Sequence, residues 1–332
     1  MGRLKIVYPV CCGMDVHRDF LIACIAATNA QGVTEYQSRR FSTYTGSLRE
    51  LRDWLLANDC KDVCMESTGK YWFPVHNILE ESCHVVVSHP KFVKAIKGKK
   101  TDKKDAQWIA DLFKHDLVRG SFIPPKDIRQ LRDLCRYWVK LSSYMTGEKN
   151  RAQNCLTVSN FKLDDVFSNV FGKSASAITT QLLEHPGEQF DVAPFVDGRC
   201  KTPIAQIQEA VDGIFTYEQA EKLKIIRGHM DSLERHMAEL ESLILEIAQN
   251  YLPQIELLLT VPGIHDAFTA IRILAEIGAD MTVFDTSKHL CSWAGLTPQN
   301  AESAGKKKTT RIGKSGAYLK PCLLYTSDAA DD

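Results

Sequence analysis

The chain has no excess of charge of either sign. Its 332 residues carry 41 Lys+Arg against 41 Asp+Glu, a formal net charge of zero. The field of the whole molecule therefore announces no anionic partner, and any such partner must be met by local charge. Long apolar runs are also missing, and none approaches the ~18 residues of a membrane span. The opening MGRLKIVYPVCCGMD lacks the roughly 7–15-residue apolar stretch and small-residue cleavage site of a signal peptide, so none is expected. The 11 cysteines form no CxxC pair, their odd number excludes a complete disulfide framework, and Cys11 and Cys12 are adjacent. Reduced cytosolic thiols are the expectation. Cys60, Cys64, Cys83 and His84 could be assembled into a zinc site on paper. Their apolar contexts (CCGM, DVCME) suit cysteine as a small core residue instead. What is present, 44% hydrophobic and 25% charged residues, excludes disordered and collagenous chains and predicts about two domains with real cores.

Residues 9–28 read as two apolar strands around a polar turn at His17–Asp19, and 33–43 as a third, polar strand near an edge. Leu48, Leu51, Trp54 and Leu55 have the spacing of an amphipathic helix over 47–58. A buried strand at 62–67, a helix after Pro74 and a strand at 84–90 complete an α/β pattern with a mixed sheet. DAQWIADLFKHDL is a helix stopping before Gly120, and Pro124–Pro125 mark a linker. Leu131, Leu134, Trp138, Leu141 and Met145 then define a second helix. Residues 170–215 show no clear pattern. Ile226, Met230, Leu233, Met237, Leu240, Ile244 and Ile247 give a coiled-coil seam, open either to a dimer partner or to an antiparallel helix of the same chain. The organisation expected is a catalytic domain at 1–120, a helical region at 121–252 and a mainly helical domain at 253–332.

Four carboxylates stand where chemistry could use them. Asp15 (GMDVH) and Glu66 (CMESTG) end strands, and binding crevices lie outside the carboxyl ends of sheet strands. Asp102 and Asp105 (KKTDKKDA), if they open a helix, share a face. Phosphodiester displacement builds charge on both the attacking and the leaving oxygen. Two Mg²⁺ ions ~3.5–4 Å apart, held by converging carboxylates, stabilise both; hard oxygen ligands select Mg²⁺ or Mn²⁺. The alternative is that each acid caps a helix or faces water. Around them the charge turns positive: between Lys91 and Lys104 stand seven lysines (Lys91, Lys94, Lys97, Lys99, Lys100, Lys103 and Lys104) and one acid, Asp102, a run that is either a solvated face or a path for an anionic polymer.

GMDVH, MESTGKYW, the Ser88–His89–Pro90 turn and KTDKKDA resemble the RuvC-like DEDD recombinases of bacterial insertion sequences, a group that includes Piv-type invertases. The resemblance covers roughly residues 9–160 and 255–321. It implies an RNase H-type catalytic fold, with the acids of the motif at Asp15, Glu66, Asp102 and Asp105.

Farther on, 258–278 reads as helix, Pro-Gly turn and helix, a unit that either presents backbone N–H groups near Gly263 to a phosphate or is a plain helical corner. Residues 284–295 form a short helix that an Asp or Thr could cap. From Ala304 to Lys320 there are six basic residues and no acid, among them Lys306, Lys307, Lys308, Arg311 and Lys314, with glycines at 305, 313 and 316. Ser303 lies directly before this stretch, and no neighbouring His/Asp pair is there to activate it.

This segment resembles the transposase domain of the same family, whose serine in an ESG-type loop attacks DNA. The resemblance implies Ser303 as nucleophile, with Ser315 a weaker candidate, and a reaction by transesterification through a covalent 5′-phosphoserine. It also implies a structured guide RNA, element-end and target DNA as partners, a homo-oligomer (dimer or tetramer) in which one protomer's acids meet another's serine, and a bacterial cytoplasmic, nucleoid-associated setting. His265–Asp266 depart from the small residues usual in relatives. YTSDAADD has no helical apolar pattern where relatives continue in helices, so a C-terminally truncated serine domain is expected. The competing enzyme is a RuvC-type metal-dependent nuclease or Holliday-junction resolvase without a serine adduct. A sugar-kinase-like ATPase would need glycine-rich phosphate loops that the sequence lacks, and a non-catalytic nucleic-acid-binding protein would not need the acids.

Overall fold

The computed structural model describes residues 4–93, 101–298, 301–303, 306–309 and 316–328. The chain divides into two compact units, residues 1–123 and 124–332.

In the first unit β1 (Val10–Val16), β2 (Phe20–Thr28) and β3 (Thr34–Ser42) form an antiparallel meander. They are followed by α1 (Thr45–Ala57), β4 (Asp62–Glu66), α2 (Trp72–Leu79), β5 (His84–Ser88), the single turn α3 (Pro90–Val93) and α4 (Asp102–Lys114). The sheet order is β3-β2-β1-β4-β5, with β4 parallel to β1 and β5 parallel to β4. An antiparallel meander continued by a parallel pair is the RNase H-like arrangement expected, and polar β3 lies at the edge. The strand expected over 84–90 stops at Ser88, because Pro90 has no N–H for a ladder and opens α3 instead. α2 starts ahead of Pro74, which the first helical turn tolerates.

The central strands are buried on both faces, and their alternation decides which side chain goes where. Cys12, Met14 and Val16 of β1, with Val63 and Met65 of β4, face a core completed by Leu48, Leu51 and Leu55 of α1 and Val75 and Leu79 of α2. Cys11 and Cys64 face the opposite way, onto Ile109, Ala110 and Phe113 of α4. Gly13, Asp15 and Glu66 share that second face by register. A Cβ added at Gly13 would collide with the Ala106 carbonyl oxygen and the Ala110 backbone nitrogen, so the absence of a side chain is what lets α4 lie against β1. The far end of α4 is tied down by Lys114. Its carbonyl accepts from the Val7 and Tyr8 N–H groups, and its Nζ donates to Asp111 Oδ1 at 2.6 Å and to the Tyr36 hydroxyl of β3 at 3.2 Å.

The second unit is helical: α5 (Lys126–Val158), α6 (Leu163–Val166), α7 (Lys173–Glu184), α8 (Ile204–Ala210), α9 (Tyr217–Ala248), α10 (Leu252–Leu259), α11 (Ala267–Ile277) and α12 (Ser287–Trp293) precede a hairpin of β6 (Ala301–Ser303) and β7 (Lys306–Thr309), then α13 (Leu319–Asp328). α7 and α8 fill the stretch 170–215 whose pattern was illegible. α5 and α9 run antiparallel: Trp138 Nε1 donates to Glu241 Oε1 at 2.9 Å, and farther along α5 the Glu148 carboxylate meets His229 Nδ1 at 3.0 Å. The seam on α9 thus has a partner in its own chain, with Ile226, Leu233 and Ile244 buried.

The buried Glu276 of α11 is gripped by Arg136 of α5, Nε to Oε1 and Nη2 to Oε2, both at 2.7 Å. Arg132 donates to the Ala275 and Glu276 carbonyls at 2.8 and 2.9 Å, satisfying groups that the end of α11 leaves open. Between α10 and α11, Gly263 has φ +89°, a conformation that favours glycine. Asp266, one of the two departures noted above, caps α11 by accepting from the Thr269 N–H at 2.8 Å, and Thr286 caps α12. Although YTSD lacks an apolar pattern, α13 continues through Asp328, propagated from a first turn whose Leu319 and Cys322 are buried.

Two predictions follow from this packing. Gly13→Ala should cost about 1–3 kcal/mol of stability, and Gly13→Val more; a Gly13→Val melting curve equal to wild type would refute the close approach of α4. Arg136→Ala leaves Glu276 buried without its bidentate partner and should lower stability by roughly 2–3 kcal/mol in urea unfolding, with Arg136→Lys recovering only part.

Candidate active site

Asp15 reaches the site because β1 alternates. It lies two residues beyond Gly13, on the α4 side of the sheet, and one residue beyond the Met14–Met65 pair that sets the register with β4. Glu66 is likewise one residue beyond that pair, so the two acids end neighbouring parallel strands. The third and fourth acids come from the first turn of α4, which Thr101 caps by accepting from the Lys104 N–H at 3.3 Å. The Gly13 contact brings that helix onto β1, and with it Asp102 meets Asp15.

The side chain between them is His17. Its Nε2 lies 3.2 Å from Asp15 Oδ2 and 3.8 Å from Asp102 Oδ1. Donor atoms of Asp15, His17 and Asp102 all fall within 4.8 Å of one another. Glu66 and Asp105 stand outside that group. Glu66 Oε1 accepts from the Thr68 hydroxyl at 3.1 Å, whereas Asp105 is near enough to act on Asp15 through its charge. Histidine was not among the residues singled out from the sequence. The signal was there: His17 follows Asp15 by two residues as the chain leaves β1, the offset that puts alternate side chains on one face.

Burial pushes the Asp15 carboxyl above its ordinary range; His17 opposes that shift, and the charges of Asp102 and Asp105 add to it. A half-buried carboxylate crowded by two others calls for positive charge. Two hard oxygen donors and an imidazole converging at this range make a donor set that fits a divalent cation.

Lys103 and Lys104 are exposed on α4 beside the acids. Lys94, Lys97, Lys99, Lys100, Arg311, Gly313, Lys314, Ser315 and Gly305 lie outside the described residues. Ser303 ends β6 with its backbone opposite Lys306 of β7, and Glu302 opposite Lys307. It therefore sits at a strand end rather than in the open loop expected, with the basic run Lys306–Lys308 forming the returning strand.

Two family models match the chain. A transposase family model, the DEDD transposase of IS110, matches residues 12–160, and the model of the transposase IS116/IS110/IS902 family matches residues 255–327. The chain carries both IS110-family transposase domains. The first IS110 match contains Asp15, Glu66, Asp102 and Asp105, and the second contains Gly263 and Ser303. Among solved structures, RuvC of Thermus thermophilus is 14% identical, covering 34% of this chain and 99% of its own, with a TM-score of 0.28. The T. thermophilus RuvC complex with a Holliday junction substrate is 13% identical, with coverages of 34% and 99% and a TM-score of 0.26. A fowlpox virus resolvase bound to Holliday junction DNA is 14% identical, with coverages of 31% and 72% and a TM-score of 0.22. No curated protein matches the chain. No described helix of this IS110-type chain is long and apolar enough to cross a membrane.

The raised carboxyl of Asp15 carries a sign. Because the folded state holds this proton more tightly than the unfolded one, its contribution to stability is complete below the unfolded value and is lost as pH rises through the folded one. Above that range the ionised group destabilises the metal-free protein. Asp15→Asn should therefore raise the melting temperature at neutral pH without metal, and millimolar Mg²⁺ or Mn²⁺ should stabilise wild type while leaving the variant unmoved. Scanning calorimetry with and without metal checks both.

Proposed function

We propose that this IS110-type chain is the DNA transposase of an insertion sequence, cutting and rejoining strands through a serine ester. One observation above all supports the reading: Asp15 and Asp102, far apart in sequence, meet at the carboxyl end of β1 within the segment that matches a DEDD transposase model.

Asp15, Glu66, Asp102 and Asp105 are assigned to hold the divalent ion, Mg²⁺ or Mn²⁺, in the catalytic domain at 1–120. An ion bound there supplies charge stabilisation to the attacking and departing oxygens. Ser303, in the domain at 253–332, is the nucleophile. Its Oγ bonds to phosphorus as the bond from phosphorus to the 3′ oxygen breaks. The proton shed by the serine hydroxyl is matched by the one that completes the free 3′-hydroxyl, leaving a 5′-phosphoserine. Attack on that ester by another 3′-hydroxyl rejoins the strand and restores the serine, so the number of ester bonds is unchanged throughout. Lys97, Lys99, Lys100, Lys103 and Lys104, in the sequence segment that leads into and includes KTDKKDA, and Lys306, Lys307, Lys308, Arg311 and Lys314, which follow the serine in sequence, are assigned to phosphates. The turn at Gly263 offers backbone N–H groups to a phosphate without reading bases. Choice of target belongs to a structured guide RNA, and the acids of one protomer act with the serine of another in a dimer or tetramer.

The test mixes the protein, its element's non-coding RNA and end-labelled element-end DNA with Mg²⁺, then denatures. Wild type should give a covalent protein–DNA band, and Ser303→Ala and Asp102→Asn should give none. Strand cutting without any adduct would replace this reading by hydrolysis of the RuvC kind. An adduct that survives omission of the RNA would remove the guide.

A further inference from the structure

His17 is held where a ligand would have to be. It stands one residue beyond β1, and its N–H donates to the Phe20 carbonyl at 2.9 Å, closing the turn into β2. Its ring packs on Phe20 at 4.7 Å between centroids, and the Arg40 guanidinium covers the same phenyl ring at 4.0 Å. The imidazole is thereby oriented by its own hairpin, with Nε2 turned toward both carboxylates. Neighbouring ligands of an octahedral ion, each about 2.1 Å from it, stand roughly 3 Å apart. The distances of 3.2 and 3.8 Å from Nε2 to the Asp15 and Asp102 oxygens are already close to that spacing.

We propose that His17 is a direct nitrogen ligand of the divalent ion, so that β1 and α4 present a mixed oxygen–nitrogen donor set that favours Mn²⁺ over Mg²⁺. The proposal rests on the metal-binding reading above and adds to its four acids a donor of different chemistry. Magnesium is a hard ion that keeps oxygen ligands and water, whereas imidazole suits the first-row transition ions. A nitrogen donor therefore raises affinity for manganese without a matching gain for magnesium. Lys103 and Lys104 are exposed and acceptor-free, so neither competes for the place. Because the side chain of His17 is 40% exposed, its replacement removes a ligand with little loss of packing.

The full-length protein is titrated with Mn²⁺ without DNA or RNA, following loss of the free-ion resonance by electron paramagnetic resonance. Pulsed measurements on the bound ion then look for coupling to a ligand ¹⁴N nucleus. Wild type should show that coupling. His17→Ala and His17→Gln should lose it, still bind Mn²⁺ about tenfold or more weakly, and bind Mg²⁺ nearly as wild type does. Mn²⁺ bound in an Asp15-dependent manner with no nitrogen coupling, or with coupling that survives His17→Ala, would overturn the role of His17 and leave the acid site standing. Mn²⁺ binding indifferent to Asp15→Asn would overturn the metal reading itself, and the His17 proposal with it.

Discussion

The close approach of α4 to β1 is the constraint on which the candidate site depends. A strand buried on both faces is ordinary in a sheet covered by helices, but here one residue of that strand, Gly13, has given up its side chain so that the backbone of α4 at Ala106 and Ala110 can occupy the space. Depth matters because the acids ride on opposite partners of that contact. Asp15 is fixed to the strand and Asp102 to the first helical turn, so the separation of their carboxylates is set by how far the helix settles. The Lys114 contacts at the other end of α4 keep the helix from pivoting about the glycine.

Two acids in this chain, the buried Glu276 and the half-buried Asp15, show opposite uses of burial. Glu276 is matched by a bidentate guanidinium, and its helix end is satisfied by Arg132. It anchors α11 to α5 with every charge answered. Asp15 has one histidine against two neighbouring carboxylates, and its burial works against ionisation. The first arrangement is a structural bond. The second is an unmet demand for positive charge, as expected of a site that works only when another species joins it.

Much of the first unit was legible because two periodicities do the work there. The apolar run before the polar turn located β1 and put Asp15 at its end, and the acids in KTDKKDA announced a helix start that Thr101 indeed caps. Glu66 was placed at the right strand end, but the direction of its carboxylate depends on Thr68, a contact no spacing encodes. His17 was passed over because it was read as turn material, although its offset from Asp15 already placed the pair on one face. In the second unit the heptads of α9 specify an apolar seam without naming its partner, and only the antiparallel contacts with α5 do that. The strand ending at Ser303 was read as loop because three residues rich in small and polar side chains carry no alternation long enough to see.

The thiols carry one more consequence. Nine of the 11 cysteines are buried, and none is in a disulfide; burial pushes Cys11 and Cys64 up to about 12. At neutral pH such groups are not nucleophiles. Only Cys200 and Cys291 are partly open to solvent, and both belong to the helical unit. Maleimide dyes would therefore mark that half of the molecule and spare the sheet, so fluorescent labelling can follow the serine-bearing half without removing a single native residue.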